Sequence, residues 1–197
     1  MKKLNYTAGI PAVRAAFTAA LLTLSALVTG CASMAPQDFA SVEPAFHPEQ
    51  FFAGHAQAWG VIEDGSGNPT KSFVSEDSGH LEGDTVVISQ TIKFSDGDSQ
   101  QRSWRLRRVD EHHYEGTADD IVGVAEGEAY GNALMLDYTL APSPTNPLTH
   151  VHLKQWLYLQ EGGKSMISRT TISKLGIVLG RVAEYVHRDD LPATIAR

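Results

Sequence analysis

The chain has 197 residues, 16 Lys and Arg against 23 Asp and Glu, a formal net charge of −7 and one cysteine. That acidic balance argues against a nucleic-acid partner, whose binding is driven by Lys and Arg neutralising phosphates, and it leaves no basic patch for anionic lipid. A single cysteine excludes an intramolecular disulfide.

The first predicted element is an export signal. Lys2, Lys3 and Arg14 precede an apolar run from Ala15 to Val28, closed by small residues, which is the pattern of a secretory leader. The run is about 14 residues, short of the roughly 20 that span a bilayer. Val28-Thr29-Gly30-Cys31 then resembles the lipobox of bacterial lipoproteins. In that family the peptide is cut before the cysteine, the thiol is diacylated and the new amine is acylated. A free lone thiol would be a liability in an oxidising compartment. Each buried methylene contributes about 0.8 kcal/mol and one chain binds only marginally, so three chains hold a protein to a membrane without a spanning segment. The resemblance therefore implies Cys31 as the lipidated residue and the membrane as a partner through its acyl chains. Ala32, where an Asp would retain the protein in the inner membrane, implies the outer membrane, periplasmic face.

On this reading residues 1–30 are a signal peptide, 31–48 a tether, 49–190 one β-barrel domain and 191–197 a C-terminal tail. The tether is small and polar in composition, with Pro36, Pro44 and Pro48, and little regular structure is expected of it. Beyond Phe51 short runs of period two alternate with Gly, Asp, Asn and Pro, the all-β signature. The clearest strand is Thr85 to Phe94, with Val86, Ile88, Ile92 and Phe94 on one face and only Gln90 interrupting it. Ser95-Asp96-Gly97-Asp98 supplies a turn, and Gln101 to Val109 returns with Trp104 and Leu106 on one face. Further strands are predicted at Phe51–Ile62, Lys71–Glu76, Tyr114–Ala118, Val122–Glu128, Ala133–Leu140, His150–Leu159, Ser165–Lys174 and Ile177–Val186. A short helical turn is expected near Pro48 to Ala53. Some eight to ten strands in sequential hairpins are expected to close as an antiparallel up-and-down barrel, since closure removes exposed edges; a sandwich with crossing connections is the alternative. Gly123, Gly127 and Gly131 recur at even spacing, where a strand bends or admits a backbone or a large ring.

Several separate stretches together resemble an uncharacterised family of bacterial envelope lipoproteins with a calycin-like barrel. They are Phe46-His47-Pro48-Glu49-Gln50-Phe51-Phe52-Ala53-Gly54, Arg102-Ser103-Trp104, Thr117-Ala118-Asp119-Asp120, Gly131-Asn132-Ala133, Trp156-Leu157-Tyr158-Leu159, Arg169 and Lys174-Leu175-Gly176-Ile177. The resemblance implies a calycin-like or lipocalin-like fold and an envelope address. It also tilts the expected ligand toward lipid, because such lipoproteins often lie beside genes for lipid-modifying enzymes. Two departures from the family pattern are Leu136 in place of an aromatic residue and Ser168 in place of an Asn beside Arg169.

Catalytic signatures are not found. Gly162-Gly163-Lys164-Ser165 imitates a phosphate loop, but Tyr158 occupies the place of its first glycine and a strand follows, so it reads as a hairpin turn. Neither Gly-x-Ser-x-Gly nor His-Glu-x-x-His occurs. His150 and His152 share a strand face, with His112 and His113 as further candidates, but three or four oriented ligands are needed and no metal is assigned. Glu126 and Glu128 read as solvated, Asp119-Asp120 as local caps, and no cofactor is expected. The most suggestive set is Arg102, Trp104, Trp156, Tyr158 and Arg169, with Trp59 and Tyr138. An arginine among rings can meet a ligand's polar head while the rings line its apolar part; the same rings also suit closure of a barrel floor. Binding of a lipid-like molecule without catalysis is the first functional expectation. The second is an accessory envelope protein with a filled barrel and an unidentified protein partner. An apolar cavity of a few hundred cubic ångströms would favour the first.

Overall fold

The computed structural model describes residues 33–143, 145–160 and 162–189. The expected leader, Cys31 and the C-terminal tail lie outside the described residues. No described helix is long and apolar enough to cross a membrane.

Ten strands follow one another: β1 (Gly54–Asp64), β2 (Pro69–Glu82), β3 (Thr85–Phe94), β4 (Ser99–Arg108), β5 (His113–Ala118), β6 (Ile121–Tyr130), β7 (Ala133–Leu140), β8 (Val151–Leu159), β9 (Ser165–Lys174) and β10 (Ile177–Arg188). Each pairs antiparallel with the next, and β10 returns to β1, so the sheet is a closed up-and-down barrel. Each predicted run is a strand. The main extensions are in β2, whose polar end Asp77–Glu82 alternates without apolar residues until Leu81, and in β10, which continues to Arg188. β1 begins three residues later than Phe51, because Pro48–Phe51 forms a one-turn helix, α1.

Alternation decides what enters the core. Val86, Ile88, Trp104, Leu106, Leu134, Leu136, Leu153, Leu157, Met166 and Val186 are buried on the inner face. Where large rings sit inside, the facing strand carries no side chain. A Cβ on Gly60 would strike the Phe73 ring, and one on Gly116 would lie 3.0 Å from the Trp104 ring.

One end of the barrel is closed. α1 lies there with Phe46, Phe51 and Phe52 edge to face, at centroid distances of 5.7 and 5.2 Å. Arg188, the last residue of β10, donates to the Gln50 and Ala53 carbonyls at 2.7 and 2.8 Å. The other end is open, for the inner residues nearest it (Ile62, Phe73, Phe94, Ile172, Val182) are only half-buried.

The stretch expected as a tether with little regular structure has one regular element ahead of α1 among its described residues, yet it is fastened to the barrel. Pro36–Phe39 is a 3-10 turn, and the Phe39 ring rests on Trp156 and Tyr158 at 5.8 and 5.5 Å. The Phe46 N–H donates to the Gly131 carbonyl at 2.7 Å. Its proline-rich, small-residue composition concealed two anchoring rings, Phe39 and Phe46. From Ala35 onward the described residues form a compact unit of their own.

Gly131 has φ of +51° and lies against the Phe39 backbone carbonyl with no room for a Cβ. Gly131→Ala is expected to destabilise the protein by more than about 1 kcal/mol, read as a drop of several degrees in Tm; an unchanged Tm would mean that the 36–46 segment is not held there.

Candidate functional site

The barrel encloses a cavity of about 280 Å3 that runs from Phe52 at the closed end to Gln100 at the open end. Its wall is mainly apolar toward both ends, with Gln100 at the open one, and polar at one intermediate level. On one side, Asp77, Gln90 and Arg102 lie directly opposite one another across β2, β3 and β4. Gln90 Nε2 donates to Asp77 Oδ2 at 3.0 Å, and the Ser75 hydroxyl donates to Asp77 Oδ1. On the other side, Tyr138 donates to Gln155 Oε1 at 3.4 Å, Gln155 Nε2 donates to Ser168 Oγ at 3.0 Å, and Ser168 is bonded to Glu184, its register partner. The two halves meet at Arg102, whose guanidinium lies 4.5 Å from the Trp104 ring and 5.9 Å from the Tyr138 ring. At their other junction stands β1, which presents Ala56, Ala58 and Gly60 inward before Ile62 near the open end.

Arg102 is held by Asp120, to which Nε donates at 2.9 Å. Asp120 thus does more than the local capping its sequence context suggested. Arg102 Nη2 is buried and has no hydrogen-bond partner among the described residues. Burial raises the Asp77 pKa against the opposing hydrogen bonds of Ser75 and Gln90. Burial, then the Asp77 charge, pushes Glu184 up to about 7, with the Ser168 hydrogen bond acting the other way. Burial also raises the Tyr138 pKa, which the nearby Arg102 charge partly offsets.

The seven ring and arginine residues singled out in the sequence divide by strand parity. Arg102, Trp104 and Tyr138 line the cavity together. Trp59, Trp156, Tyr158 and Arg169 do not: they point to the outer face, so they are corrected out of the pocket. Trp59 is 45% exposed and stacks on Tyr185 at 6.2 Å. Trp156 and Tyr158 stack on each other and receive Phe39, while exposed Arg169 stands opposite Trp156 in the next strand. Sequence reasoning missed Asp77, Gln155 and Glu184. For Gln155 and Glu184 the signal was a polar residue interrupting an apolar face, noticed at Gln90 alone; Asp77, between Ser75 and Gly79, carries no such signal. Ser168, first read as a departure from a family pattern, is the partner of Gln155 and Glu184.

Among the described residues no group of three or more His, Cys, Asp or Glu is placed to hold a metal. His152 pairs with Asp137 on the outer face. Gly162 and Gly163 have φ of +83° and +69° in the β8–β9 turn, as a hairpin requires.

Glu184 gives the stability a defined pH dependence. Below its ordinary value of 4.5 the carboxyl is protonated folded and unfolded alike and contributes nothing. As pH rises toward about 7 the unfolded chain has released this proton and the barrel has not, so stability falls, and the loss is complete above about 7. Glu184→Gln is expected to be more stable than the parent at pH 8 by about 2–3 kcal/mol, with the difference vanishing near pH 4. Urea unfolding across that range measures it, and a constant difference would refute the assignment.

No curated protein matches the chain. Two solved structures share the barrel. The S-type phycobiliprotein lyase CPES from Guillardia theta is 9% identical, with a TM-score of 0.55 over 73% of this chain and 92% of that one. Rv2717c from M. tuberculosis is 16% identical, with a TM-score of 0.53 over 76% of this chain and 99% of that one. At such identities the likeness concerns the calycin-like fold alone. Residues 25–188 match the family described as "Protein of unknown function (DUF3833)", and the chain belongs to that family.

Proposed function

We propose that this protein is an outer-membrane-anchored periplasmic lipoprotein whose barrel binds a lipid-like or other amphiphilic small molecule without transforming it. The observation that carries the binding reading is a mainly apolar cavity of about 280 Å3 lined at its polar level by Arg102, whose buried Nη2 has no hydrogen-bond partner among the described residues. A buried donor left unpaired costs about 1–3 kcal/mol, and a ligand oxygen at that level recovers it while its hydrocarbon covers Ile88, Leu136 and Leu157. A filled barrel acting only through its exterior would have no such void.

The anchor rests on the sequence. Val28-Thr29-Gly30-Cys31 falls inside the stretch matched by the family, and Ala32 favours the outer membrane. Cells fed labelled palmitate are expected to incorporate it into the parent protein and not into Cys31→Ala; label in both, or in neither, would remove the anchor from the proposal.

For the cavity, the neutral fluorescent probe N-phenyl-1-naphthylamine should bind the 35–197 form with one site and be displaced by 1-decanol. Ile92→Trp, which fills the upper cavity, is expected to weaken the probe at least tenfold. Equal binding by the filled variant would place the probe on the surface and leave the pocket unsupported.

A further inference from the structure

The polar level does not lie at the mouth or at the floor of the cavity. It lies between two apolar layers. Toward the open end the void is walled by Ile92, Phe94, Leu140 and Ile172, with Gln100 the polar residue opposite Ile92; toward the closed end, by Ile88, Leu106, Leu157 and Val186. In β3, β7, β8 and β10 apolar residues sit two positions to either side of the polar one (Ile88 and Ile92, Leu136 and Leu140, Leu153 and Leu157, Val182 and Val186), about 7 Å along the strand in each direction. A fatty acid or lysolipid that kept its head in water at the mouth would leave this level facing hydrocarbon. One that entered head first would leave no apolar group for the closed-end layer.

The charges at the level are balanced against an ionic ligand. A carboxylate there meets Asp77 and Glu184, and an ammonium meets the Arg102 guanidinium, whose charge Asp120 already compensates. A neutral oxygen suits both sides, accepting from Arg102 Nη2 and, where it is a hydroxyl, donating to the carboxyl side.

On the strength of the binding reading above, we infer that the ligand is an unbranched chain whose hydroxyl or carbonyl oxygen lies in the chain interior, with apolar arms of about five carbons on each side. The polar level is then a gauge of position along the chain, not a headgroup site.

Positional isomers test this directly, because they hold composition constant and change only where the oxygen sits. Of the three tryptophans, only Trp104 lines the cavity. The 35–197 form carrying Trp59→Phe and Trp156→Phe therefore reports occupancy through Trp104 emission alone. 6-Undecanol is expected to bind at least tenfold more tightly than 1-undecanol, and Gln155→Leu should bring the ratio close to one. If 1-undecanol binds as tightly as 6-undecanol or more so, the interior-oxygen inference is overturned while the binding reading survives. If a preference for 6-undecanol persists undiminished in Gln155→Leu and in a second variant, Gln90→Leu, the polar level is not its source and the inference also fails. If neither alcohol binds, the binding reading itself fails, and this inference with it.

Discussion

In a closed sheet the pleat admits every second side chain to the interior and sends its neighbours out, with no edge at which the rule can be relaxed. The chemistry of this barrel depends on that constraint. Arg102 and Trp104 are two apart and both turn inward; Trp156 and Tyr158 are also two apart, and both turn outward because Leu153, Leu157 and Leu159 hold the inner face of β8. The same parity places acids and amides of separate strands at one level, although nothing in their local sequence joins them. It also assigns the outer rings a use, since Trp156 and Tyr158 become the seat on which Phe39 fastens the N-terminal segment.

Polar groups inside a small barrel destabilise it unless they are bonded. Here Ser75, Gln90, Gln155 and Ser168 supply short neutral hydrogen bonds to the groups that are hardest to bury. Their arrangement leaves Arg102 Nη2 without a partner and keeps two carboxyls close enough for one to raise the pKa of the other. Hydrophobic residues of similar size would form a tighter and more stable core. Retaining these groups leaves a void that discriminates by hydrogen bonding as well as by shape, which is how a site rejects a molecule lacking the matching oxygen.

The barrel was legible because the run Thr85–Phe94 and its neighbours alternate cleanly and the turns between them carry Asp-Gly or Gly-Gly. The closure of β10 on β1 was an inference from edge chemistry, and the register confirms it. The site was legible only in part. Tyr138 stands on a face of leucines, and Arg102 shares its face with Trp104 and Leu106, so their inward direction could be read. Trp59 could not be placed that way: its own face holds Gln57 and Val61, the opposite face holds alanines and a glycine, and neither is decisively apolar. Asp77 and Glu184 were hidden for a different reason. Asp77 stands between Ser75 and Gly79 on its face, and Glu184 lies between Val182 and Val186 in a strand whose outer face is itself mixed, so only the three-dimensional pairing shows that they share an interior with Arg102. The N-terminal segment escaped notice because two phenylalanines in a proline-rich stretch carry no periodicity.

The contacts of Arg188 bear on how the molecule is made. The guanidinium that pins the Gln50 and Ala53 carbonyls belongs to the final residue of the final strand, some 135 positions after the loop it secures. A chain growing from its N-terminus can assemble its early hairpins from local contacts, but the plug at the base stays unlatched until the last strand emerges. Closure of the container therefore waits on the tenth strand, delayed by a loop-closure entropy that the intervening hairpins must first reduce.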